Sequence, residues 1–238
     1  MPTRKLLLIS SSRVHGTDFL EHCTDAIKTH FANSESVLFI PYALADHDKY
    51  ESIVATAFEK IGLTIKSIHH AADPIAAINN AGGIFIGGGN SFRLLKTLCE
   101  KKLVQPIREA VASNTPYMGS SAGTNMACPT IRTTNDMPIV EPPTFDSLNL
   151  IPFQINPHFI DADPNSKHKG ETREQRLAEF HEENSTAVVG LREGSWLEID
   201  GNACKLAGST GMMLFEAGNK PQEIGPGADL TELMNQSA

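Results

Sequence analysis

Short apolar runs alternate with amphipathic segments along the first half of the chain. Residues 5–10 form a continuous apolar run, which is typical of a buried parallel strand. Apolar side chains at helical spacing follow at 19–31, behind Thr17 or Asp18 as the capping residue. The alternation then repeats, with strands predicted at 37–42, 63–68, 83–86 and 116–119, and helices at 50–61, 74–81 and 91–113, the last divided near 103–106. This order predicts an α/β fold with a doubly wound, mostly parallel sheet flanked by helices.

The second half of the chain continues this pattern and then changes it. Strands are predicted at 148–155 and 186–191, with a charged amphipathic helix at 173–183 between them. Residues 197–226 contain short apolar runs separated by glycine turns, which predicts C-terminal β-hairpins, and a short helix is predicted at 229–235. We expect residues 1–238 to form a single α/β domain.

Composition and charge narrow the possible functions. The 238 residues include 28 acidic and 20 basic side chains, and a net charge of -8 without a basic run argues against nucleic acid as a partner. No apolar stretch is long enough to span a membrane, and the first apolar run is too short for a signal peptide. The four cysteines show no C-x-x-C spacing, so they predict neither a zinc site nor a disulfide framework. We expect a soluble protein of the reducing cytoplasm, a monomer or homodimer, without a membrane partner.

The first candidate for chemistry is a Gly-x-Ser-x-Gly pattern centred on Ser121. It follows a predicted strand and precedes a stretch of small residues, as a strand-to-helix turn that exposes a nucleophilic serine requires. Only Ser121 fits the pattern, because the neighbouring Ser120 lacks glycines at the required spacing. The alternative is an ordinary tight turn that packs a helix on a sheet.

A serine hydroxyl needs a base to take its proton and a carboxylate to orient that base. Among nine histidines, His158 follows an apolar strand and a rigid Asn-Pro turn, and Glu193 ends the next predicted strand. We expect Ser121, His158 and Glu193 to end strands of one parallel sheet, at the edge where such sheets bind ligands. His69 and His70 also follow a strand and remain alternatives as the base.

A triple glycine follows the fourth predicted strand and ends beside Asn90. Gly88 or Gly89 can present a backbone N–H to a developing oxyanion, with the N–H of Ala122 as its partner. The alternative is a phosphate cradle at the start of the helix that Asn90 begins. The stretch lacks both the lysine of a P-loop and the G-x-G-x-x-G spacing, so we rank phosphate binding lower.

The order of the three candidate catalytic residues distinguishes two groups of enzymes. The α/β-hydrolases run Ser, Asp/Glu, His, whereas this chain runs nucleophile, His, Glu, which is the order of class I glutamine amidotransferases. Those enzymes use cysteine, where this chain has Ser121. The chain closely resembles the peptidase E family of α-aspartyl dipeptidases, serine peptidases on an amidotransferase-like fold. The resemblance covers roughly residues 5–215, and its motifs lie at 85–90, 121–123, 128–140, 154–159 and 168–176.

The resemblance implies hydrolysis of dipeptides with an amino-terminal aspartate, Asp-X, through an acyl-enzyme and without a metal or other cofactor. An arginine suits the aspartate β-carboxylate because its planar fork makes two hydrogen bonds. The candidates are Arg173, Arg176 and Arg132, and the resemblance places a substrate-side arginine at Arg173. Three further substrate-binding candidates lie near the predicted sheet edge: Asn135 and Asp136, either of which could receive the substrate ammonium, and Asn90.

Two other functions remain open from the sequence. One is a cyanophycinase-like hydrolase that cuts β-aspartyl bonds, and the other is a non-enzymatic binding protein on the same fold. The Asn-Asp-Met-Pro loop at 135–138 and the Glu-Thr-Arg-Glu-Gln-Arg segment at 171–176 favour the dipeptidase over the first. The intact serine, histidine and glutamate argue against the second, and the absence of a cysteine nucleophile argues against an amidotransferase.

Overall fold

A computed structural model describes residues 4–163, 165 and 170–235 of the chain. Its strands are β1 (Lys5–Ile9), β2 (Val37–Ile40), β3 (Ile65–Ser67), β4 (Ile84–Ile86), β5 (Tyr117–Ser120), β6 (Gln154–Phe159), β7 (Val188–Arg192), β8 (Ser195–Asp200), β9 (Ala203–Gly208), β10 (Met212–Phe215) and β11 (Gln222–Ile224). Its α-helices are α1 (Thr24–His30), α2 (His47–Lys60), α3 (Pro74–Asn79), α4 (Ser91–Glu100), α5 (Val104–Ala112), α6 (Ala122–Met126) and α7 (Arg173–Glu183). Short 3-10 helices lie at Glu21–Cys23, Ile68–His70 and Thr231–Asn235.

The main sheet has seven strands in the order β3-β2-β4-β5-β1-β8-β9. The first five strands are parallel, and β8 and β9 extend the sheet as antiparallel strands. Parallel neighbours require crossover connections, which the helices between β1 and β5 provide. The predicted α/β class, the mostly parallel sheet with flanking helices and the C-terminal hairpins are therefore confirmed.

Both faces of the parallel strands β1, β2, β4 and β5 are buried, which explains their continuous apolar runs, whereas β8 and β9 alternate buried with exposed residues. Successive side chains of a strand point to opposite faces, so Leu6 and Leu8 pack in one apolar cluster. Leu7 and Ile9 pack in a second cluster, together with Phe85 from β4. Helices cover each face, and the carboxyl ends of the strands are left as the open edge.

A second sheet has four strands in the order β11-β10-β7-β6. Strands β6 and β7 are parallel and are joined through α7, while β10 and β11 are antiparallel. This arrangement corrects the expectation that all three candidate catalytic residues end strands of one parallel sheet. Ser121 follows β5 of the main sheet, whereas His158 lies in β6 and Glu193 follows β7 of the second sheet.

The strand predicted at 148–155 was wrong in its position. Strand β6 begins only at Gln154 and includes His158, while the preceding apolar residues have no regular structure. Leu148 and Leu150 donate their backbone N–H groups to Met126 and Ala127, at the end of α6, at 2.9 and 2.8 Å. Their apolarity therefore reflects burial against the end of a helix rather than strand pairing.

Helix boundaries follow the capping chemistry of the sequence in some places and depart from it in others. Asp73 caps α3 as predicted, accepting hydrogen bonds from the N–H groups of Ile75 and Ala76. The helix expected to start at Thr17 or Asp18 begins only with the 3-10 turn at Glu21–Cys23, since Leu20 has a left-handed conformation. Helix α7 has its predicted bounds, whereas residues 168 and 169 of the motif before it lie outside the described residues.

The longest described helix, α2, has 14 residues. Within the described part of the chain no helix is both long and apolar enough to cross a membrane. The four cysteines are free thiols.

His30 makes the stability of the fold sensitive to acid. The side chain is only 6% exposed at the end of α1. Burial, assisted by the nearby Lys5, lowers the pKa of His30 from its ordinary value of 6.5 to about 3. As pH falls through this window, the unfolded chain binds a proton that the folded chain does not, so the free energy of unfolding decreases.

We expect His30→Gln to remove roughly 2 kcal/mol of the stability loss between about pH 7 and about pH 5. Urea unfolding at both pH values measures it. The exposed His15 provides a matched control, since His15→Gln should leave the pH dependence unchanged. Equal pH dependence in wild type and His30→Gln would contradict the assignment.

Candidate active site

Ser121 lies at a strained turn between β5 and α6. Its backbone angles are φ 54° and ψ -111°, a combination that costs a non-glycine residue about 1–3 kcal/mol. Two hydrogen bonds hold the turn, because the Ser121 N–H donates to the carbonyl of Ile9 at 3.0 Å and the Asn125 N–H donates to the carbonyl of Ser121 at 2.9 Å. A strained serine at a strand-to-helix junction is the geometry of a nucleophile elbow, as the sequence predicted.

The two glycines of the Gly-x-Ser-x-Gly pattern are required by close backbone contacts. A Cβ atom on Gly119 would lie 2.4 Å from the carbonyl oxygen of Gly123. A Cβ atom on Gly123 would lie 2.0 Å from the carbonyl oxygen of Ile86, on the neighbouring strand β4. The elbow is thus pressed against the sheet, and larger residues at either position would force the backbone apart.

The structure joins Ser121, His158 and Glu193 in one hydrogen-bonded chain. The Oγ atom of Ser121 lies 2.8 Å from Nε2 of His158, and Nδ1 of His158 lies 2.6 Å from Oε1 of Glu193. The arrangement matches a neutral imidazole that donates its Nδ1 proton to the carboxylate and accepts the serine proton at Nε2. The three residues can therefore act as nucleophile, general base and orienting carboxylate.

His158 is aimed at Ser121 by a β-bulge. Its φ is 54°, and the pairing of β6 with β7 shifts register between Pro157 and Phe159. The His158 N–H donates to the Oγ atom of Ser10 at 2.9 Å, and that hydroxyl donates to the carbonyl of Leu191 at 2.7 Å. A bulge re-aims a side chain, and here a buried serine at the end of β1 holds the bulged backbone.

Ser10 is a functional residue that the sequence pattern does not single out. The pattern places it only at the end of the first strand, and its one signal is a polar residue after an apolar run at a carboxyl edge. Ser10 is fully buried, and its hydroxyl connects the two sheets that carry the candidate triad.

The backbone around Glu193 is held by the hydroxyl groups of Thr210, in the β9–β10 turn, and of Ser195, at the start of β8. The Thr210 hydroxyl donates to the carbonyl of Glu193 at 2.6 Å, and the Oγ atom of Ser195 accepts the N–H of Gly211 at 2.8 Å. Beside this turn, Arg192 makes a two-pronged pair with Asp161, with both contacts at 2.7 Å. Hydrogen bonding to Arg192 lowers the pKa of Asp161, so the carboxylate stays charged and ties the segment after β6 to β7.

Of the predicted oxyanion donors, Gly88 lies against the Ser121 side chain, Ala122 follows Ser121 in the chain, and Gly89 packs against Ala43. A Cβ atom on Gly88 would lie 3.0 Å from Cβ of Ser121 and 3.6 Å from its Oγ. The Gly88 amide also interacts with the buried Tyr50 hydroxyl, whose pKa is raised by burial and partly lowered by this contact. Among the described residues, neither Gly89 nor Ala122 gives its N–H to a hydrogen-bond acceptor. Ala122 is the first residue of α6, where such unpaired N–H groups face an incoming anion.

The alternative of a phosphate cradle at the start of α4 is wrong, because a carboxylate holds that position. Oδ2 of Asp136 accepts hydrogen bonds from both the N–H and the hydroxyl of Ser91, each at 2.7 Å. Oδ1 of Asn90 caps the same helix by accepting the Arg93 N–H at 3.0 Å. The helix terminus is thus satisfied within the chain.

Asn90, Asn135 and Asp136 also hold the long 128–143 loop beside His158. The Asn90 amide donates to the carbonyl of Met137 at 2.8 Å, and the Asn135 amide donates to the carbonyl of Pro157 at 2.7 Å. Oδ1 of Asn135 accepts a hydrogen bond from the Asn156 amide at 2.8 Å. The structure therefore gives each of these predicted substrate residues a positioning contact at the edge of the site.

The three candidate arginines differ in their surroundings. Arg132 is exposed and its guanidinium lies 4.8 Å from the ring centre of Phe145, while Arg176 lies 3.6 Å from Glu171. Arg173 is half-buried as the first residue of α7, and no ion pair within the described residues involves it. Burial, followed by repulsion from Arg176, lowers the pKa of Arg173. Within the described residues, Arg173 is therefore the half-buried candidate that has neither an ion pair nor a ring contact.

His69 and His70 lie away from the triad. They contact Asp48 and Glu51, at 3.0 and 2.7 Å respectively, beside β3 at the far edge of the main sheet. His158 is the histidine that the structure places against Ser121, so the alternative bases are not supported.

Comparisons with known proteins agree with this geometry. The sequence model described as peptidase family S51 matches residues 6–207. The chain is 51% identical over 230 residues to peptidase E of Streptomyces coelicolor, covering 97% of this chain and 95% of that protein. It is 48% identical over 236 residues to a Drosophila melanogaster protein named probable alpha-aspartyl dipeptidase, with 98% of each chain covered. The crystal structure of a peptidase from an acI-B1 Actinobacterium has the same fold, with a TM-score of 0.69, 17% identity and 96% of each chain covered.

The close contact between Gly123 and β4 predicts that a larger residue at position 123 lowers the free energy of unfolding. We expect Gly123→Ala to lower the free energy of unfolding by on the order of 3 kcal/mol, because the added Cβ overlaps a fixed backbone carbonyl. Urea denaturation measures the change. Gly225 is a matched control, since a Cβ there meets no atom within 4 Å. A Gly123→Ala protein as stable as Gly225→Ala would show that the elbow is not packed as described.

Proposed function

Because this chain belongs to peptidase family S51, we propose that it hydrolyses dipeptides with an amino-terminal aspartate through Ser121, His158 and Glu193. The chain is a serine-type peptidase, as its family and its relatives show. The observation that carries the proposed mechanism is the continuous hydrogen-bonded chain from the Ser121 hydroxyl to the Glu193 carboxylate.

The proposed reaction begins with attack of Ser121 Oγ on the peptide carbonyl carbon. His158 Nε2 takes the hydroxyl proton, and the Glu193 carboxylate stabilises the imidazolium that forms. The negative charge on the carbonyl oxygen is stabilised by N–H groups of Ala122 and of Gly88 or Gly89. In other enzymes, removal of one such donor slows the reaction by about 10²–10³-fold.

Collapse of the tetrahedral intermediate breaks the peptide bond. His158 gives its proton to the leaving amine, and the aspartyl group remains as an ester on Ser121. A water molecule, deprotonated by His158, then attacks the ester and releases aspartate. In this scheme the residues of the chain carry every proton transfer, so no metal takes part.

Recognition of the aspartate side chain is assigned to the start of α7. Strands β6 and β7 are parallel and α7 connects them, so the helix must begin at the carboxyl edge where β6 ends. Arg173 is therefore on the same edge as His158. Its guanidinium and the positive end of the helix together favour a carboxylate at this position.

The free ammonium of the substrate needs a negative or polar partner. Hydrogen bonds within the described residues use Oδ2 of Asp136, which leaves Oδ1 as an acceptor on the loop beside His158. We assign the ammonium to Asp136 rather than Asn135, whose amide oxygen and nitrogen are both engaged.

The name of the Drosophila relative, an alpha-aspartyl dipeptidase, supports the proposed Asp-X substrate. A cyanophycinase-like β-aspartyl hydrolase would use the same triad, and no contact in the site favours it. A non-enzymatic binding role would not require the hydrogen-bonded serine, histidine and glutamate. The proposal includes a cytoplasmic setting, supported by four free cysteine thiols, and action as a monomer or homodimer.

Loss of the nucleophile should abolish activity without loss of the fold. We expect Ser121→Ala to lower turnover of Asp-Leu by roughly 10⁴-fold or more. Ser120→Ala is a matched control, because the Ser120 hydroxyl is buried without a hydrogen-bond partner in the described residues and should be dispensable. Turnover measured by release of leucine, with circular dichroism for folding, checks both variants. Wild-type turnover in Ser121→Ala would disprove the mechanism.

Specificity can be tested with a substrate panel and one pair of arginine variants. We expect wild type to cleave Asp-Leu far faster than Glu-Leu, Ala-Leu or β-Asp-Leu, with a chelator present. Arg173→Ala should lower kcat/KM for Asp-Leu by on the order of a hundred-fold and leave the residual rate with Ala-Leu unchanged. Arg176→Ala, on the same helix but paired with Glu171, is the control. An undiminished preference for aspartate in Arg173→Ala would remove that residue from recognition.

A further inference from the structure

We propose that Asp48, Glu51, His69 and His70 form a binding site for a divalent transition-metal ion, with Zn²⁺ as the best match. The four side chains come from two separate segments, the first turns of α2 and the 3-10 helix that follows β3. One ligand atom from each lies within 4.8 Å of every other. We call this group the His/carboxylate cluster. The proposal is independent of the peptidase mechanism.

The spacing within the His/carboxylate cluster suits a tetrahedral ion. Nε2 of His69 lies 3.0 Å from Oδ1 of Asp48 and 3.8 Å from Oε2 of Glu51. Nε2 of His70 lies 3.9 Å from the same Asp48 oxygen and 2.7 Å from the same Glu51 oxygen. Zinc bonds of about 2.1 Å in a tetrahedron separate ligand atoms by about 3.4 Å, which falls within this range. Shifts of less than an ångström would therefore bring these pairs to ligand spacing.

Local structure directs these side chains to one point. Asp48 and Glu51 are three residues apart on α2 and so share a helix face. The rings of His69 and His70 lie against each other, with centres 3.9 Å apart. Nδ1 of His69 is 2.6 Å from the Ser67 hydroxyl, an outer hydrogen bond that fixes the ring and leaves Nε2 for a metal.

The chemistry of the ligands selects the ion. Two imidazole nitrogens suit Zn²⁺, Ni²⁺ or Cu²⁺, whereas Mg²⁺ and Ca²⁺ prefer sites made of oxygen alone. Two carboxylates balance the charge of a divalent ion, so its binding would not leave an excess charge at this edge of the sheet. Zinc accepts this mixture of nitrogen and oxygen ligands in four-coordinate geometry.

The cluster lies away from Ser121, so a bound ion would have a structural role rather than a catalytic one. Strands β2 and β4 separate β3 from β5, which carries Ser121. An ion here would link the start of α2 to the short edge strand β3. The side chains range from 13% exposed for His69 to 84% exposed for Asp48, so the site is open to solvent and a chelator can reach it.

The competing explanation is a pair of histidine–carboxylate ion pairs without a metal. Without a metal, an Nε2 proton lies between each histidine nitrogen and its carboxylate oxygen. With a metal, the ion takes the place of these protons. The two explanations differ in what they predict for added metal, since only a metal site binds Zn²⁺ saturably and gains stability from it.

The test uses the full chain after chelator treatment and dialysis. Isothermal titration with ZnCl₂ should show saturable binding of a single ion per chain. A thermal unfolding scan should show that ZnCl₂ raises the Tm, and MgCl₂ should produce neither effect. His70→Ala should weaken Zn²⁺ binding at least about ten-fold and remove the rise in Tm. His15→Ala, which removes an exposed histidine outside the cluster, should bind like wild type.

A second variant guards against misfolding. Asp48→Asn with Glu51→Gln preserves the size of both side chains but removes their charge, and circular dichroism checks that the fold is retained. It should lose binding as His70→Ala does. Absence of saturable Zn²⁺ binding in wild type, or unchanged affinity in these variants, would overturn the proposal in favour of simple ion pairs.

Discussion

The buried hydroxyl of Ser10 holds together the two sheets between which the candidate triad is divided. Ser121 belongs to the main sheet, whereas His158 and Glu193 belong to the second. One hydroxyl accepts the backbone N–H of His158 and donates to the carbonyl of Leu191, so it fixes the second sheet against the end of β1. Removing it would take this partner from the His158 N–H and the Leu191 carbonyl, and a buried backbone group left unsatisfied costs about 1–3 kcal/mol.

Both residues that exchange a proton have a strained backbone. Ser121 and His158 both have positive φ angles, each a conformation that non-glycine residues rarely adopt. Backbone hydrogen bonds to β1 and from α6 hold the serine, and the bulge beside Ser10 holds the histidine. Their side chains are consequently directed at each other by the backbone, before any substrate binds. Such preorganisation reduces the rearrangement that the reaction itself requires.

The carboxyl edge of the main sheet carries two different kinds of chemistry. Near its centre, β4 and β5 supply glycine amides and Ser121 to the candidate active site. At its far end, the segment after β3 and the start of α2 bring two histidines next to two carboxylates. Both arise because parallel strands end at one edge and the following loops converge there. The long loop beside His158 closes the first region through contacts of Asn90 and Asp136.

The sequence by itself determined those features that depend on neighbouring residues. Glycine spacing around Ser121 predicted the elbow, Asp73 before a proline predicted a helix start, and amphipathic spacing predicted α7 with its observed bounds. Chain order and strand ends predicted that His158 and Glu193 would meet the serine, and the structure brings all three together. The elbow and the helix starts could be predicted because propensity, capping and turn geometry act over only a few residues. The hydrogen bonds of the triad join two sheets, so they depend on tertiary packing.

Tertiary structure alone decided how distant segments meet. The apolar residues 148–153 could be read as a strand, and only packing against the end of α6 shows that they are not. The division into two sheets, the role of Ser10 and the carboxylate cap of Asp136 on α4 all join segments far apart in the chain. The histidine–carboxylate contacts beside β3 do the same. A hydrogen bond between remote residues depends on the relative placement of whole elements, which local spacing does not encode.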